Sequence, residues 1–273
     1  MKKILWFFLS AAPLIIYGIL TALFYFLFTL IVFRMGWFQD SWLFSEENID
    51  ASLMLAISAA SGAVSYLIYR CLKTDRRRTR PFRFSFASVL VLAALAFVCQ
   101  YLTTLLINVI SMLMPQALDQ YTELLESVGM ASPGLLLILY TVIVGPIHEE
   151  LMMRGATLSI AKKALPFWAA NLVQALLFGI FHMNLLQGCY AFCLGLVLGY
   201  LAHRYHSLVP AYFFHIFFNL LGMLALTPGN LIAFLLSLAL FSALLAAALN
   251  YQKKKEPEQA LFPSRQDFFS GDL

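Results

Sequence analysis

Charged side chains are scarce in this chain of 273 residues, in which Asp, Glu, Lys and Arg together account for 12%. A typical soluble domain has about 25%, and hydrophobic residues make up 62% of this sequence. The composition excludes an ordinary soluble protein and indicates an integral membrane protein. Polar linkers are also missing between the apolar segments, which favours a single helical bundle.

Several chemical signatures are absent as well. The cysteines lack the paired short spacing of a zinc ribbon, and no disulfide framework is expected. No Gly-x-Ser-x-Gly pattern or other serine or cysteine nucleophile arrangement is present. His148-Glu149 begins like the His-Glu-x-x-His motif of zinc proteases, but Met152 occupies the fifth position. We therefore expect no ordinary zincin site, and His148 is expected to be a supporting or surface residue.

Apolar segments close to the length of a membrane span recur along the chain. About 20 helical residues cross ~30 Å of hydrocarbon, and polar or turn-forming residues separate eight such segments. They cover residues 4–33, 52–69, 84–114, 134–160, 167–183, 188–202, 208–226 and 231–250. The predicted fold class is all-α, a polytopic transmembrane helical bundle of about eight spans.

The distribution of basic residues predicts the orientation of this bundle. Lys and Arg concentrate in short cytoplasmic loops, and an inside N-terminus with eight spans puts nearly all of them on the inner side. Arg34 falls outside, and the predicted outer loops hold acidic residues instead. Both termini are thus predicted to be cytoplasmic, with the protein in the plasma membrane. The basic run at 76–80 fits a topology signal and requires no nucleic-acid partner.

Carboxylates are scarce in the apolar segments after position 134. Between positions 134 and 250 the acidic residues are Glu149 and Glu150, and ionisable groups in lipid are costly enough to suggest a function. Glu150 and Arg154 are four residues apart on one helix face and are expected to form an ion pair. Glu149 points elsewhere. The alternative for this group is a buried ion pair that only fixes helix packing.

Three further polar residues lie on two other predicted helices. His182 is near the end of the fifth apolar segment, whereas His215 and Asn219 are four residues apart on the seventh. Singly, such residues often only join helices in a membrane. Because no comparable cluster occurs elsewhere in the sequence, we expect them to converge with Glu149 on one site.

These motifs resemble those of the CAAX protease and bacteriocin-processing family (CPBP, or Abi), which includes the type II CAAX prenyl endopeptidases. The similar region covers about residues 133–220, with Glu-Glu-x-x-x-Arg at 149–154, Phe-x-x-x-His at 178–182 and His-x-x-x-Asn at 215–219. The resemblance implies hydrolysis of a peptide bond in or beside the membrane by glutamate-activated water. It also implies a membrane-associated or lipidated protein or peptide as the substrate.

The site residues suit the chemistry that the resemblance implies. Glu149 is assigned as the general base, because removal from water makes a carboxylate more basic and the neighbouring ion pair would tune the effect. His182 would hold the same water or shuttle its proton. His215 and Asn219 are side-chain donors that could bind the developing oxyanion.

Other classes of function remain open. Glu149, His182 and His215 could form a zinc site with two histidines, one carboxylate and an open position for water, although the favoured expectation is no cofactor. Intramembrane carboxylates and histidines also form proton relays, so a proton-coupled transporter is a rival; the two halves of the sequence, however, show no matching motif pair. A non-catalytic immunity or scaffold protein would keep the same residues as structure.

Three consecutive regions are predicted. Residues 1–133 hold three spans and a basic cytoplasmic loop, residues 134–250 form the catalytic transmembrane core, and residues 251–273 form a polar cytoplasmic tail. The tail is expected to be disordered or loosely attached. Within the core, Gly195 and Gly199 are spaced for close helix packing inside the bundle.

Overall fold

The computed structural model describes residues 2–34, 48–72, 82, 85–224, 229–257 and 260–262, and no strand occurs among them. The all-α fold class is therefore confirmed. Twelve α-helices lie in the described ranges: α1 Lys2–Leu9, α2 Ala12–Phe28, α3 Ile49–Leu72, α4 Phe86–Leu113, α5 Pro115–Ser127, α6 Leu135–Leu139, α7 Gly145–Glu150, α8 Leu158–Ala161, α9 Phe167–Phe181, α10 Leu185–Arg204, α11 Leu208–Met223 and α12 Leu231–Lys255.

Six helical runs in the described part of the chain are long and apolar enough to cross a membrane: Lys2–Ile31, Ile49–Leu72, Phe86–Leu113, Leu135–Ala161, Leu185–Arg204 and Leu231–Lys255. The apolar helices α9 and α11 are shorter. These eight elements coincide with the eight predicted segments and make the chain an integral membrane protein. The number of spans and the side of the termini stay predictions.

Side-chain caps explain where the last two helices begin. Asn230 caps α12, because its Oδ1 accepts hydrogen bonds from the N–H groups of Ile232 and Ala233 at 2.9 and 3.2 Å. The hydroxyl of Ser207 accepts a bond from the N–H of Val209 at the start of α11. Both caps satisfy backbone donors that have no partner within the first helical turn.

The run Leu135–Ala161, which carries the two glutamates, is not a uniform α-helix. It widens to π-helical geometry at Tyr140–Val144 and Leu151–Thr157. At the first of these turns the N–H of Gly145 bonds to the carbonyl of Tyr140, five residues earlier. The proline that follows has no N–H to donate and disturbs the regular α-helical ladder. Wide turns of this kind occur frequently at functional sites.

The chain forms two compact units, each built from two stretches of sequence. Unit 1 comprises Met1–Arg76 and Met114–Gly195, and unit 2 comprises Arg77–Leu113 and Leu196–Leu273. In unit 1 the glutamate-bearing run packs against α2 and α3, and in unit 2 α4 packs against α11 and α12. The predicted division into three consecutive regions stays a prediction.

Helices α9 and α10 approach each other at backbone distance within unit 1. A Cβ atom added to Gly179 would lie 2.7 Å from the carbonyl oxygen of Gly188, and one added to Gly195 would lie 3.0 Å from the Cα of Ala175. Larger residues would force these helices apart. The predicted role of Gly195 in packing inside the bundle is confirmed.

Part of the C-terminal tail is anchored within unit 2. Tyr200 and Arg204 donate hydrogen bonds to the carbonyls of Leu261 and Ala260 at 2.9 and 2.7 Å, and the N–H of Leu261 donates to Gln252 Oε1 at 3.0 Å. Ala260 and Leu261 are both buried. The expectation of a disordered or loosely attached tail is therefore wrong for residues 252–255, which belong to α12, and for Ala260 and Leu261, whose backbone groups bond to side chains of two helices.

Several predicted features lie outside the described residues. They are the acidic outer loop at 35–47, the basic topology signal at 76–80 and the end of the tail at 263–273. The side chain of Arg34, which the sequence predicts to lie on the outer side of the membrane, is also outside the description.

Candidate active site

Glu150 and Arg154 form the ion pair that their spacing predicts. Arg154 Nη1 donates to Glu150 Oε1 at 2.9 Å, and both side chains are almost fully buried. A buried charge is very costly without a partner, so each of these residues requires the other. The ion pair thus holds the Glu150 carboxylate against Arg154.

The Arg154 guanidinium makes two further contacts inside unit 1. Nη2 donates to the carbonyl of Gly195 at 3.4 Å, and Cζ lies 4.4 Å from the centroid of the Phe178 ring. Gln174 donates to the same Gly195 carbonyl at 2.8 Å. An arginine stacked on an aromatic face is favourable, and more so where water is excluded. Phe178 thus supports the arginine. In the sequence, the Phe of the Phe-x-x-x-His pattern is the signal that marks this residue.

His182 is held by the backbone of its own helix. Its Nδ1 lies 2.9 Å from the carbonyl oxygen of Phe178. A carbonyl can only accept, so Nδ1 carries the proton, and the lone pair of the neutral ring is on Nε2. The imidazole also makes edge contacts with the rings of Phe178 and Phe181, at centroid distances of 4.9 and 5.2 Å. The orientation of the His182 ring is therefore fixed by contacts with its own helix.

Glu149 lies one residue before the ion pair and is only half-buried. A Cβ added to Gly145 would lie 3.8 Å from Glu149 Oε1 and 3.1 Å from the carbonyl oxygen of Tyr140, so a glycine is needed for the close packing beside this carboxylate. Three tyrosines lie near the carboxylate: Tyr17, Tyr140 and Tyr190. The two adjacent carboxylates thus have different surroundings: one is buried against arginine, and the other lies in a partly open aromatic environment.

His215 and Asn219 lie on α11, in unit 2. The imidazole of His215 is buried and the amide of Asn219 is half-buried. The structure therefore groups Glu149, Glu150 and Arg154 with His182 in one unit. The predicted convergence of all six residues on one site stays a prediction.

Comparison with known protein families identifies the region that holds these residues. Residues 131–221 match the Rce1-like family model. The description of that family is type II CAAX prenyl endopeptidase Rce1-like. The match confirms the resemblance read from the three motifs, all of which lie inside the Rce1-like segment. It indicates a membrane protease, which is a hydrolase acting on a membrane-embedded peptide or protein.

The rest of the chain stands without comparable guidance. No curated protein and no solved structure matches the sequence. The Rce1-like segment begins after α5, so helices α1 to α5 lie outside it.

Helix α2, which lies outside that segment, contacts His148, which the sequence predicts to be a supporting or surface residue. The structure excludes the surface position, because His148 is 2% exposed. Its ring stacks on that of Tyr17 from α2, with a centroid distance of 5.1 Å. The sequence around His148 does not indicate this partner, because Tyr17 belongs to another helix.

Carboxylate and imidazole side chains such as these can also bind a metal ion. Across the described ranges, no group of three or more His, Cys, Asp or Glu side chains is arranged to hold a metal ion. A chelation experiment tests the zinc alternative built on Glu149, His182 and His215.

Proposed function

We propose that the chain is an intramembrane endopeptidase that hydrolyses a peptide bond with a water molecule activated by Glu149. The observation that carries the proposal is the different environment of two adjacent carboxylates. Glu150 is buried and bound to Arg154 at 2.9 Å, whereas Glu149 is only half-buried. A carboxylate that water can reach is suited to act as a general base.

The proposed reaction proceeds without a covalent enzyme intermediate. Glu149 accepts a proton from water, the oxygen attacks the scissile carbonyl carbon, and a tetrahedral oxyanion forms. His182 accepts a hydrogen bond from the same water through Nε2, in keeping with its proton on Nδ1. When the C–N bond breaks, the proton on Glu149 passes to the leaving amine, and the carboxylate is restored.

His215 and Asn219 are proposed as the donors that bind the oxyanion. This assignment rests on the His-x-x-x-Asn motif within the Rce1-like segment. A well-placed donor of this type contributes ~3 kcal/mol to the stability of a transition state in other enzymes. The imidazole would donate in the tautomer or charge state that places a proton toward the oxyanion.

The proposed substrate is a membrane-associated or lipidated protein or peptide. The Rce1-like match makes a prenylated peptide ending in a CAAX-type sequence the first substrate to test. A bacteriocin or pheromone precursor, or a membrane-anchored regulator, belongs to the same class. We further propose that the protein lies in the plasma membrane with both termini in the cytoplasm, and that it needs neither nucleic acid nor a cofactor.

The decisive experiment compares wild type with Glu149→Gln in liposomes, using a fluorogenic prenylated peptide and product identification by mass spectrometry. Glu149→Gln should abolish cleavage. The matched control is Glu123→Gln, the same substitution at an exposed carboxylate on α5, and it should cleave like wild type.

Three results would contradict the proposal. Full cleavage by Glu149→Gln would remove Glu149 from the mechanism. Substrate-dependent proton flux without proteolysis would favour a transporter. An unchanged cellular phenotype in Glu149→Gln would favour a scaffold or immunity protein that keeps the site as structure.

A further inference from the structure

We infer that Tyr17, on α2 and outside the Rce1-like segment, is a positioning residue for the candidate active site. Its ring packs on His148 and Phe181, which directly precede Glu149 and His182 in sequence. The inference rests on the proposed function, in which these two residues share the attacking water. It gives the first membrane helix a part in catalysis that no motif in that helix indicates.

The geometry of three rings carries this inference. The Tyr17 ring lies 5.1 Å from that of His148 with an interplanar angle of 25°, and 5.0 Å from that of Phe181 with an angle of 65°. The His148 and Phe181 rings are 6.2 Å apart. All three separations fall in the range of favourable aromatic pairs. Tyr17 therefore contacts both the run Leu135–Ala161 and α9, and it links the two elements.

Each contacted ring is coupled to a residue of the proposed mechanism. His148 is joined to Glu149 by a peptide bond, and a shift of its Cα would move the carboxylate. Phe181 is joined to His182 in the same way, and the two rings meet edge to face at 5.2 Å and 89°. Catalytic groups lose efficiency when displaced by as little as an ångström. Holding His148 and Phe181 in place therefore fixes the distance between the adjacent residues Glu149 and His182.

The backbone around His148 is also constrained by α3. A Cβ added to Gly62 would lie 3.9 Å from both the Cα and the Cβ of His148. This is ordinary van der Waals contact at a place where the helices meet closely. Tyr17 on one helix and Gly62 on another thus both limit the movement of the residue before Glu149.

His148 acts in this arrangement through the faces of its ring. Neither of its ring nitrogens has a hydrogen-bond partner in the described part of the chain, although the side chain is buried. A buried polar atom without a partner destabilises a protein, whereas an apolar group of the same shape in its place can be neutral or stabilising. A phenylalanine at position 148 should therefore preserve the stack.

The test uses full-length protein in liposomes with the prenylated peptide described above. Tyr17→Leu should lower kcat about tenfold through misplacement of the base, while KM stays near the wild-type value. Tyr17→Phe keeps the ring and should restore kcat. Tyr25→Leu, at an exposed tyrosine of the same helix, is the matched control and should leave both constants unchanged.

Substitutions at position 148 separate ring packing from nitrogen chemistry. His148→Ala should lower kcat as Tyr17→Leu does, and His148→Phe should keep it. Loss of activity in His148→Phe, in protein that melts like wild type, would show that the nitrogens matter and would overturn the inference. An unchanged kcat in Tyr17→Leu would overturn it as well.

An activity-independent measurement separates this inference from the proposed function. In protein labelled with ¹⁵N-histidine, Tyr17→Leu should shift the imidazole signals of His148 and His182, and Tyr25→Leu should not. If these signals move while neither wild type nor any variant cleaves peptide, the proposed function fails and the structural link stands. If cleavage depends on Glu149 but the His182 signal and kcat ignore Tyr17→Leu, the inference fails alone.

Discussion

The guanidinium of Arg154 rests on the ring of Phe178, with Cζ 4.4 Å from the ring centroid. The two residues belong to different motifs, Glu-Glu-x-x-x-Arg and Phe-x-x-x-His. The carbonyl of Phe178 also accepts the hydrogen bond from His182 Nδ1. One phenylalanine thus contacts residues of both motifs, the arginine with its side chain and the histidine with its backbone.

Arg154→Ala should cost both stability and activity. Removing one partner of a buried ion pair strands the other charge, at about 3–5 kcal/mol of unfolding free energy. Arg154→Lys keeps the charge but loses the planar donors that bond to Glu150 and the Gly195 carbonyl and stack on Phe178. It should therefore fall between wild type and alanine in thermal melts and in cleavage. An alanine variant that melts like wild type yet is inactive would instead place Arg154 in contact with the substrate.

Substitution of each of the two adjacent glutamates by glutamine should have a different effect on activity and on melting temperature. Glu149→Gln should abolish cleavage with little change in melting temperature, because a neutral amide is easier to bury than a carboxylate. Glu150→Gln should lower the melting temperature, because it leaves the buried Arg154 charge without its counterion. Circular dichroism melts in detergent would measure the difference. Equal melting temperatures for the two variants would contradict the assigned roles.

Gly179→Ala should destabilise the pair formed by α9 and α10. The added methyl group would meet the Gly188 carbonyl at 2.7 Å, and overpacking of this kind typically costs about 1–3 kcal/mol. The matched control is Gly18→Ala on α2, where an added Cβ meets nothing within 4 Å. That variant should be neutral or slightly more stable, since alanine favours helix over glycine. Identical melts for both variants would argue against the close approach.

Chelation provides the test of the zinc alternative. After incubation with a strong chelator and dialysis, wild-type protein should keep its cleavage rate, because the proposed base acts on water directly. Loss of activity that added zinc restores would transfer the activation of water to a metal. Metal content measured on the same samples would then show how many ions each chain holds.

The positions of the apolar helices could be read from the sequence because hydropathy is a one-dimensional signal. All eight segments found by length and composition are helices in the structure. The ion pair of Glu150 with Arg154 was equally accessible, since it depends on a spacing within one helix. These features require no knowledge of how the helices pack.

Features that depend on packing between helices were missed. The support of Arg154 by Phe178 and the stacking of Tyr17 on His148 join residues that are far apart in sequence. The sequence predicts an outer loop between the third and fourth apolar segments. The structure has helix α5 there, and the hydroxyl of Tyr121 lies 3.2 Å from that of Tyr190 on α10.

Unit 2 is built from two stretches of sequence that are synthesised at different times. Gln252 Nε2 lies 3.5 Å from Ser88 Oγ, across a separation of 164 residues, and α4 packs on the two last helices. Domains generally fold as units while the chain emerges from the ribosome. The partners of α4 in unit 2, however, are synthesised later, after the helices of unit 1 that follow α4. Unit 2 therefore assembles only after α4 has been in the bilayer without them.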